Sequence, residues 1–195
     1  MKTYFFSTLL LFSCSVLAQN KLTVTAQEQA FYDKAMPAIK KEYKNLVFQT
    51  AAQLKGKNIN SDSLINAMKG NRMLTGLNGN DIEALAFLVL MEASKSSRED
   101  MKSIMAETKQ INSQKESYRK VNQNTASLRK DSSHPTISSK IYTLKTKKDS
   151  LNDMDQMTQL RLQMTIDRRN KIMTLLSNIM KKISSTEDQI ISNLK

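Results

Sequence analysis

The residues best suited to catalysis are few and far apart in this chain of 195 residues. The single histidine, His134, precedes a proline, where a loop is expected, and the single cysteine, Cys14, lies in an apolar stretch near the start. A nucleophile–histidine–carboxylate triad or a histidine-based zinc site needs several such groups together. We therefore expect no enzyme activity, no metal and no cofactor, and interpret His134 as an exposed loop residue.

One short segment, NINSDS, alternates oxygen-bearing side chains at Asn58, Asn60 and Asp62 in the manner of a calcium loop. A calcium loop also needs glycine at its sixth position and glutamate at its twelfth, where this chain has Ser63 and Lys69. Ser61 or Asp62 is better explained as the N-cap of a short helix.

Positive charge is the one polar feature with a clear pattern. The net charge is +12, and residues 101–148 hold eleven Lys or Arg against three Asp or Glu, a local balance of +8. Such a band attracts anions in a salt-dependent way. The candidate binding residues are Lys109, Lys115, Arg119, Lys120, Arg129, Lys130, Lys140, Lys145, Lys147 and Lys148.

The partners that this band predicts are anionic lipid headgroups, acidic polysaccharide or an acidic protein. Specific nucleic-acid recognition is not expected, since only Tyr118 and Tyr142 lie nearby to stack on bases. A solvated helical surface without a partner is the alternative interpretation.

Methionines recur in the second half of the chain, at Met154, Met157 and Met164 among others. We interpret them as gap-filling core residues, with a deformable groove for varied clients as the alternative. Copper binding through thioethers would require histidines close by, and the sequence lacks them.

The first eighteen residues have the features of a secretory signal peptide. Lys2 precedes an apolar stretch, and Val16 and Ala18 suit a small-residue cleavage site. We predict cleavage after Ala18 and export to the periplasm or the medium. Lipidation of Cys14, as in a lipoprotein, is the minor alternative.

The remaining residues, 19–195, are predicted to form a single all-α domain, because glycine, proline and tryptophan are scarce. In the N-terminal region, 19–79, Thr25 and Glu28 form a capping-box pattern, Pro37 should kink or split the first helix, and Gly56 should end it. A long helix is expected over 80–132, a turn over 133–137 and a second long helix over 138–195.

The two long helices should fold back on each other as an antiparallel, coiled-coil-like arm, with the N-terminal helices packed on its base. The first helix shows a seam with alternating three- and four-residue spacing. The expected partners across the hairpin include Ile111 with Met157 and Ile104 with Met164. The seam positions are Phe87, Leu90, Ser94, Ser97, Met101, Ile104, Thr108, Ile111, Lys115, Tyr118, Asn122 and Thr125.

The run Ala84–Met91 is apolar but spans only eight residues. That is about 12 Å of helix, well short of the ~30 Å of a hydrocarbon core. We therefore expect this run to be a helix segment buried on all sides, and predict no transmembrane span after the signal peptide.

Together these features predict an exported, non-enzymatic helical protein that acts by binding or as a structural component. A homo-oligomer of this chain is compatible with that prediction. A periplasmic holdase-type chaperone for unfolded envelope proteins is the alternative.

Overall fold

The computed structural model describes residues 23–69, 74–128, 135–184 and 186–195. The predicted signal peptide with Cys14, together with Arg129, Lys130 and His134, lies outside these ranges, and the side chain of Lys140 is also outside the description. The described residues form helices and no strand. The helices are α1 Ala26–Ala38, α2 Lys41–Leu54, α3 Ser61–Lys69, α4 Gly79–Leu128, α5 Pro135–Ile183 and α6 Glu187–Leu194.

The chain divides into two compact units. Unit 1 contains the described residues up to Arg98 together with Ile166–Lys195, and unit 2 contains Glu99–Thr165. Both long helices contribute to each unit.

The first helix begins and ends where the sequence predicts. The Thr25 hydroxyl accepts from the Glu28 amide at 3.2 Å, and the Glu28 carboxylate accepts from the Thr25 amide at 2.8 Å, completing the capping box. Pro37 lies in the last turn of α1, and Ile39 then adopts an extended conformation with φ −71° and ψ 154°. The split that Pro37 predicts is therefore confirmed, and α2 starts two residues later.

Asparagines cap α3 and α4, which corrects the predicted starts. The Asn60 side-chain oxygen accepts from the Ser63 amide at 2.7 Å, so Asn60, and not Ser61 or Asp62, caps α3. Asn78 caps α4 by accepting from the Asp81 amide at 2.9 Å, so this helix starts slightly before the expected Asn80 or Asp81. Since Asn, Asp and Ser cap helices about equally well, their order in the sequence cannot rank them.

The core of unit 1 surrounds the apolar run of α4. Every residue from Ala84 to Met91 is buried, as predicted for a helix segment covered on all sides. Phe87 packs edge-on against Phe31 of α1, with ring centroids 5.2 Å apart. The other helices of unit 1 cover this run with the buried side chains Met36, Leu46, Val47, Leu54, Leu64, Met68, Ile172, Leu176, Ile183, Ile190 and Leu194.

The second long helix is shorter than expected, because α5 ends at Ile183 and a separate helix, α6, follows. The short helix packs against α1, where Lys34 pairs with Glu187 at 3.2 Å and Asp188 at 2.6 Å. Its apolar residues, among them Leu194, are buried in the core, and the Leu194 carbonyl accepts from the Lys40 amide at 2.9 Å. The break therefore lets α6 bury its apolar face.

The start of α5 is also earlier than expected, at Pro135 instead of residue 138. Proline suits the first position of a helix, because its fixed φ is helical and its missing amide donor would have no partner there. The prediction treated Pro135 as part of the turn.

Unit 2 is an antiparallel pair of segments from α4 and α5. Lys115 pairs with Asp155 at 2.6 Å, and Glu107 pairs with Arg161 at 2.9 Å, which sets the register. The predicted α4 seam is buried here at Ile104 and Ile111. The all-α antiparallel hairpin with packed N-terminal helices is thus confirmed.

The expected α5 partners of that seam are wrong. Met157, Leu160 and Met164 are 65%, 65% and 63% exposed, while Thr158 and Thr165 are buried. The Thr158 hydroxyl donates to the Met154 carbonyl at 2.7 Å and the Thr165 hydroxyl to the Arg161 carbonyl at 2.8 Å. Because its own helix satisfies each hydroxyl, threonine can occupy the seam, while Met157, Leu160 and Met164 face outward.

Among the described helices, none combines the length and apolar character needed to cross a bilayer.

Candidate anion-binding surface

The predicted basic residues that the structure describes all lie in unit 2. Lys109, Arg119 and Lys120 are exposed on α4, and Lys145, Lys147 and Lys148 are exposed on α5. Long basic side chains on helix surfaces keep their charged ends in water, where an anion can reach them.

Lys115 differs from the other basic residues because it is engaged within unit 2. Its side chain is only 18% exposed, and its ammonium group lies 2.6 Å from the Asp155 carboxylate, which is 17% exposed. The hydrogen bond from Lys115 holds the pKa of the Asp155 carboxyl below its usual range. Lys115 therefore stabilises the helix pair, and we remove it from the candidate binding set.

Four of the exposed residues lie on neighbouring turns of the two helices of the hairpin. Arg119 and Lys120 lie four and five residues after Lys115 on α4, and Lys148 and Lys147 lie seven and eight residues before Asp155 on α5. Counted from the Lys115–Asp155 pair, the four therefore fall within about 6 Å of one another along the helix axis. We call Arg119, Lys120, Lys147 and Lys148 the basic cluster.

Within the described residues, the only ion pair of the basic cluster is Lys120 with Glu116, at 4.0 Å and largely exposed. Such a pair holds its lysine weakly, so an anionic partner can displace it. The structure therefore leaves the charge of this cluster accessible.

Lys109 is separated from the basic cluster. It precedes Arg119 by ten positions on the same helix, about 15 Å along the axis. A single anionic group cannot contact both, so Lys109 lies apart from the basic cluster. Lys145, two residues before Lys147 on α5, is also exposed and is not part of the cluster.

A shallow hollow of about 410 Å³ lies beside the basic cluster, between the two helices. Tyr118 and Lys147 line it, with Ser117, Ser150 and the amide of Gln114 adding polar groups. One cation surrounded by hydroxyl and amide donors suits an anionic oxygen group. The sequence placed Tyr118 in the seam and gave no sign of this hollow, which depends on the register of the two helices.

A second surface feature was missed because two of its residues, Met157 and Met164, were assigned to the core. Met157, Leu160 and Met164 lie at spacings of three and four residues, on one outward face of α5. We call these three residues the outer apolar stripe. Its exposure contradicts the gap-filling interpretation of Met157 and Met164.

Within the described ranges, no group of three or more His, Cys, Asp or Glu side chains is placed to hold a metal ion. The fold and the surface together define an all-α hairpin protein with a basic cluster on one of its two units. No family model, curated protein or solved structure matches the chain.

Proposed function

We propose that this chain is an exported, non-enzymatic interaction protein whose basic cluster binds anionic lipid headgroups at an envelope surface. The observation that supports the proposal most directly is that Arg119, Lys120, Lys147 and Lys148 lie on neighbouring turns of the two helices of unit 2. Each of these cations is exposed, and the hollow beside them offers further donors to a phosphate group.

Lipid headgroups are preferred to the other anionic partners because a membrane surface presents many phosphates at once. Each lysine or arginine near such a surface contributes about 1 kcal/mol, and the contribution falls off within a Debye length. Four neighbouring cations therefore give useful binding that disappears at high salt.

The test is sedimentation with vesicles over a salt series, using the full chain without its predicted signal peptide. We expect binding to vesicles with anionic headgroups at low salt and release as salt rises. Changing Arg119, Lys120, Lys147 and Lys148 to Gln should abolish sedimentation.

The matched control changes Lys40, Lys41, Lys57 and Lys181 to Gln, which removes the same charge from exposed positions of unit 1. Equal loss of binding in both variants would show that net charge alone acts, and would contradict a defined surface. Binding only to acidic polysaccharide or acidic protein would redirect the proposal to those partners.

Export is the second part of the proposal, and its test is the mass of the protein recovered from outside the inner membrane. Cleavage after Ala18 should leave Gln19 as the first residue. Recovery in the membrane fraction with an acyl modification on Cys14 would support the lipoprotein alternative instead.

A holdase-type chaperone is the alternative function, and the outer apolar stripe supports it. Exposed methionines adapt to clients of varied shape. If this alternative holds, the protein should suppress aggregation of an unfolded membrane barrel, and changing Met157, Leu160 and Met164 to Gln should remove that activity. Phe48→Gln, at another exposed apolar position, is the matched control.

A further inference from the structure

Unit 1 contains a cavity of about 900 Å³ that the proposed surface of unit 2 does not use. It lies between α3, the amino-terminal turns of α4 and the last turns of α5. Its apolar wall consists of Leu64, Met68, Ile82, Ala86, Leu175 and Ile179. This volume lies at the upper end of the range of about 300–1,000 Å³ for small-molecule sites.

The cavity is enclosed on its inner side and open at one edge. Leu64, Met68 and Ala86 are buried and belong to the hydrophobic core, whereas Ile65 at the edge is 46% exposed. An apolar group entering past Ile65 would therefore end against core side chains. A flexible hydrocarbon chain suits this shape better than a rigid polar molecule.

Among the described residues that line this cavity, the charged groups form one pair of opposite sign. Lys182 and Glu83 both line it, and their side chains are 2.8 Å apart and partly exposed. Ser61, Thr75 and Asn178 supply neutral hydrogen-bonding groups. Because an exposed ion pair contributes little to stability, the two charges can separate to contact a ligand.

We propose that this cavity binds a single-chain zwitterionic lipid, of the lysophosphatidylethanolamine kind. The acyl chain occupies the apolar wall, the phosphate contacts Lys182, and the ammonium group contacts Glu83. A free fatty acid would bring its carboxylate next to Glu83, and a neutral monoglyceride would leave both charges without an ionic partner. The paired charges thus select a headgroup that carries both signs.

The experiment measures binding of lysophosphatidylethanolamine below its micelle concentration, by titration calorimetry and by displacement of 1-N-phenylnaphthylamine fluorescence. The full chain without its predicted signal peptide is used. We expect one lipid per chain, and affinity for the fatty acid and the monoglyceride at least tenfold weaker. Equal or tighter binding of either would overturn the headgroup assignment, and absence of dye and lipid binding would overturn the site.

Two variants at the rim separate a specific contact from general charge. Lys182→Gln should weaken lysophosphatidylethanolamine binding about tenfold, the free-energy equivalent of one good polar contact. Lys181→Gln is the matched control, because this neighbouring lysine is exposed and does not line the cavity. The same affinity in both variants would contradict the role of Lys182.

Two further variants test the apolar wall. Ala86→Phe should fill the cavity and abolish dye and lipid binding, with folding checked by circular dichroism. If Ala86→Phe does not fold, Ile65→Asp serves instead, because an exposed edge residue tolerates a charge and should still lower lipid affinity. Retained affinity in a folded variant of either kind would overturn the site.

The basic-cluster variant of unit 2 should bind the lipid normally, so the two proposals fail independently.

Discussion

Polar side chains at buried helix positions shape this molecule as much as its apolar residues do. Thr158 and Thr165 are buried because their hydroxyls donate within their own helix. Arg169 is buried because its guanidinium donates to the Ser94 carbonyl at 2.8 Å and to the Ser94 hydroxyl at 3.3 Å. Burial also lowers the pKa of Arg169, and the nearby positive charge of Arg98 adds to that lowering.

Removing Arg169 should destabilise the protein. Arg169→Met removes two hydrogen bonds from a charged donor to Ser94, and a hydrogen bond that involves a charged group contributes about 1.5–3 kcal/mol. We expect a loss of that size in the free energy of unfolding, measured by urea denaturation. Arg168→Met, at the adjacent half-buried position, should change stability by less than about 0.5 kcal/mol. Equal effects would show that Arg169 acts only through its charge.

The Lys115–Asp155 pair should make the stability of the protein depend on acid. Since the folded pKa of Asp155 is lowered, its contribution is fully present above the ordinary carboxylate pKa of about 4 and is lost as pH falls through the lowered value. Asp155→Asn should therefore reduce the melting temperature at neutral pH and flatten its decline below about pH 4. Asp153→Asn is the control at an exposed position. An unchanged acid slope in Asp155→Asn would contradict the role of this pair.

At the scale of elements, a leucine in one helix of the hairpin and a leucine in the other have opposite environments. Leu88 of α4 is fully buried, and Leu160 of α5 is 65% exposed. Both belong to apolar patterns in the sequence, so pattern alone does not distinguish them. Burial distinguishes them, because a charge introduced at Leu88 would have no water around it.

Leu88→Asp should unfold unit 1. A buried, unpaired carboxylate costs several kcal/mol, a large part of a typical unfolding free energy of about 5–15 kcal/mol. Circular dichroism should show loss of helix and of cooperative melting, whereas the matched variant Leu160→Asp should keep both. A folded Leu88→Asp protein would contradict the packing of this helix, and unfolding by Leu160→Asp would contradict the outward face of α5.

At the scale of the whole molecule, the two units differ in how they are held together. Unit 1 buries a continuous apolar core from all six helices, whereas the described buried apolar residues of unit 2 are Ile104, Ile111 and Leu151. Regions with few buried apolar contacts open at a lower free energy than the core.

Hydrogen exchange should therefore be faster in unit 2. We expect amides of residues 102–118 and 145–160 to exchange before those of residues 84–91 and 172–180, measured by mass spectrometry of peptides at neutral pH. Residues 187–194 should exchange slowly for so short a helix, because their apolar face lies in the core. Uniform protection across both units would contradict the difference in packing.

The sequence by itself determined the helical class, the hairpin, the buried run Ala84–Met91 and the concentration of positive charge. Each follows from local composition or from periodicity along one chain segment, which needs no knowledge of neighbours. The α4 seam was predicted for the same reason, since its apolar residues recur at regular spacing.

Tertiary structure alone decided which face of α5 is buried, that Lys115 is engaged by Asp155, and that α6 folds back after Ile183. The cavity in unit 1 also depends on tertiary structure, because its walls come from three helices. These features depend on which residues meet across helices and on whether a polar group finds a partner there. A hydrophobicity pattern predicts a buried methionine and an exposed threonine, and in this segment of α5 the opposite is found. The pattern fails because it does not include the hydrogen-bond partner that allows the threonine hydroxyl to be buried.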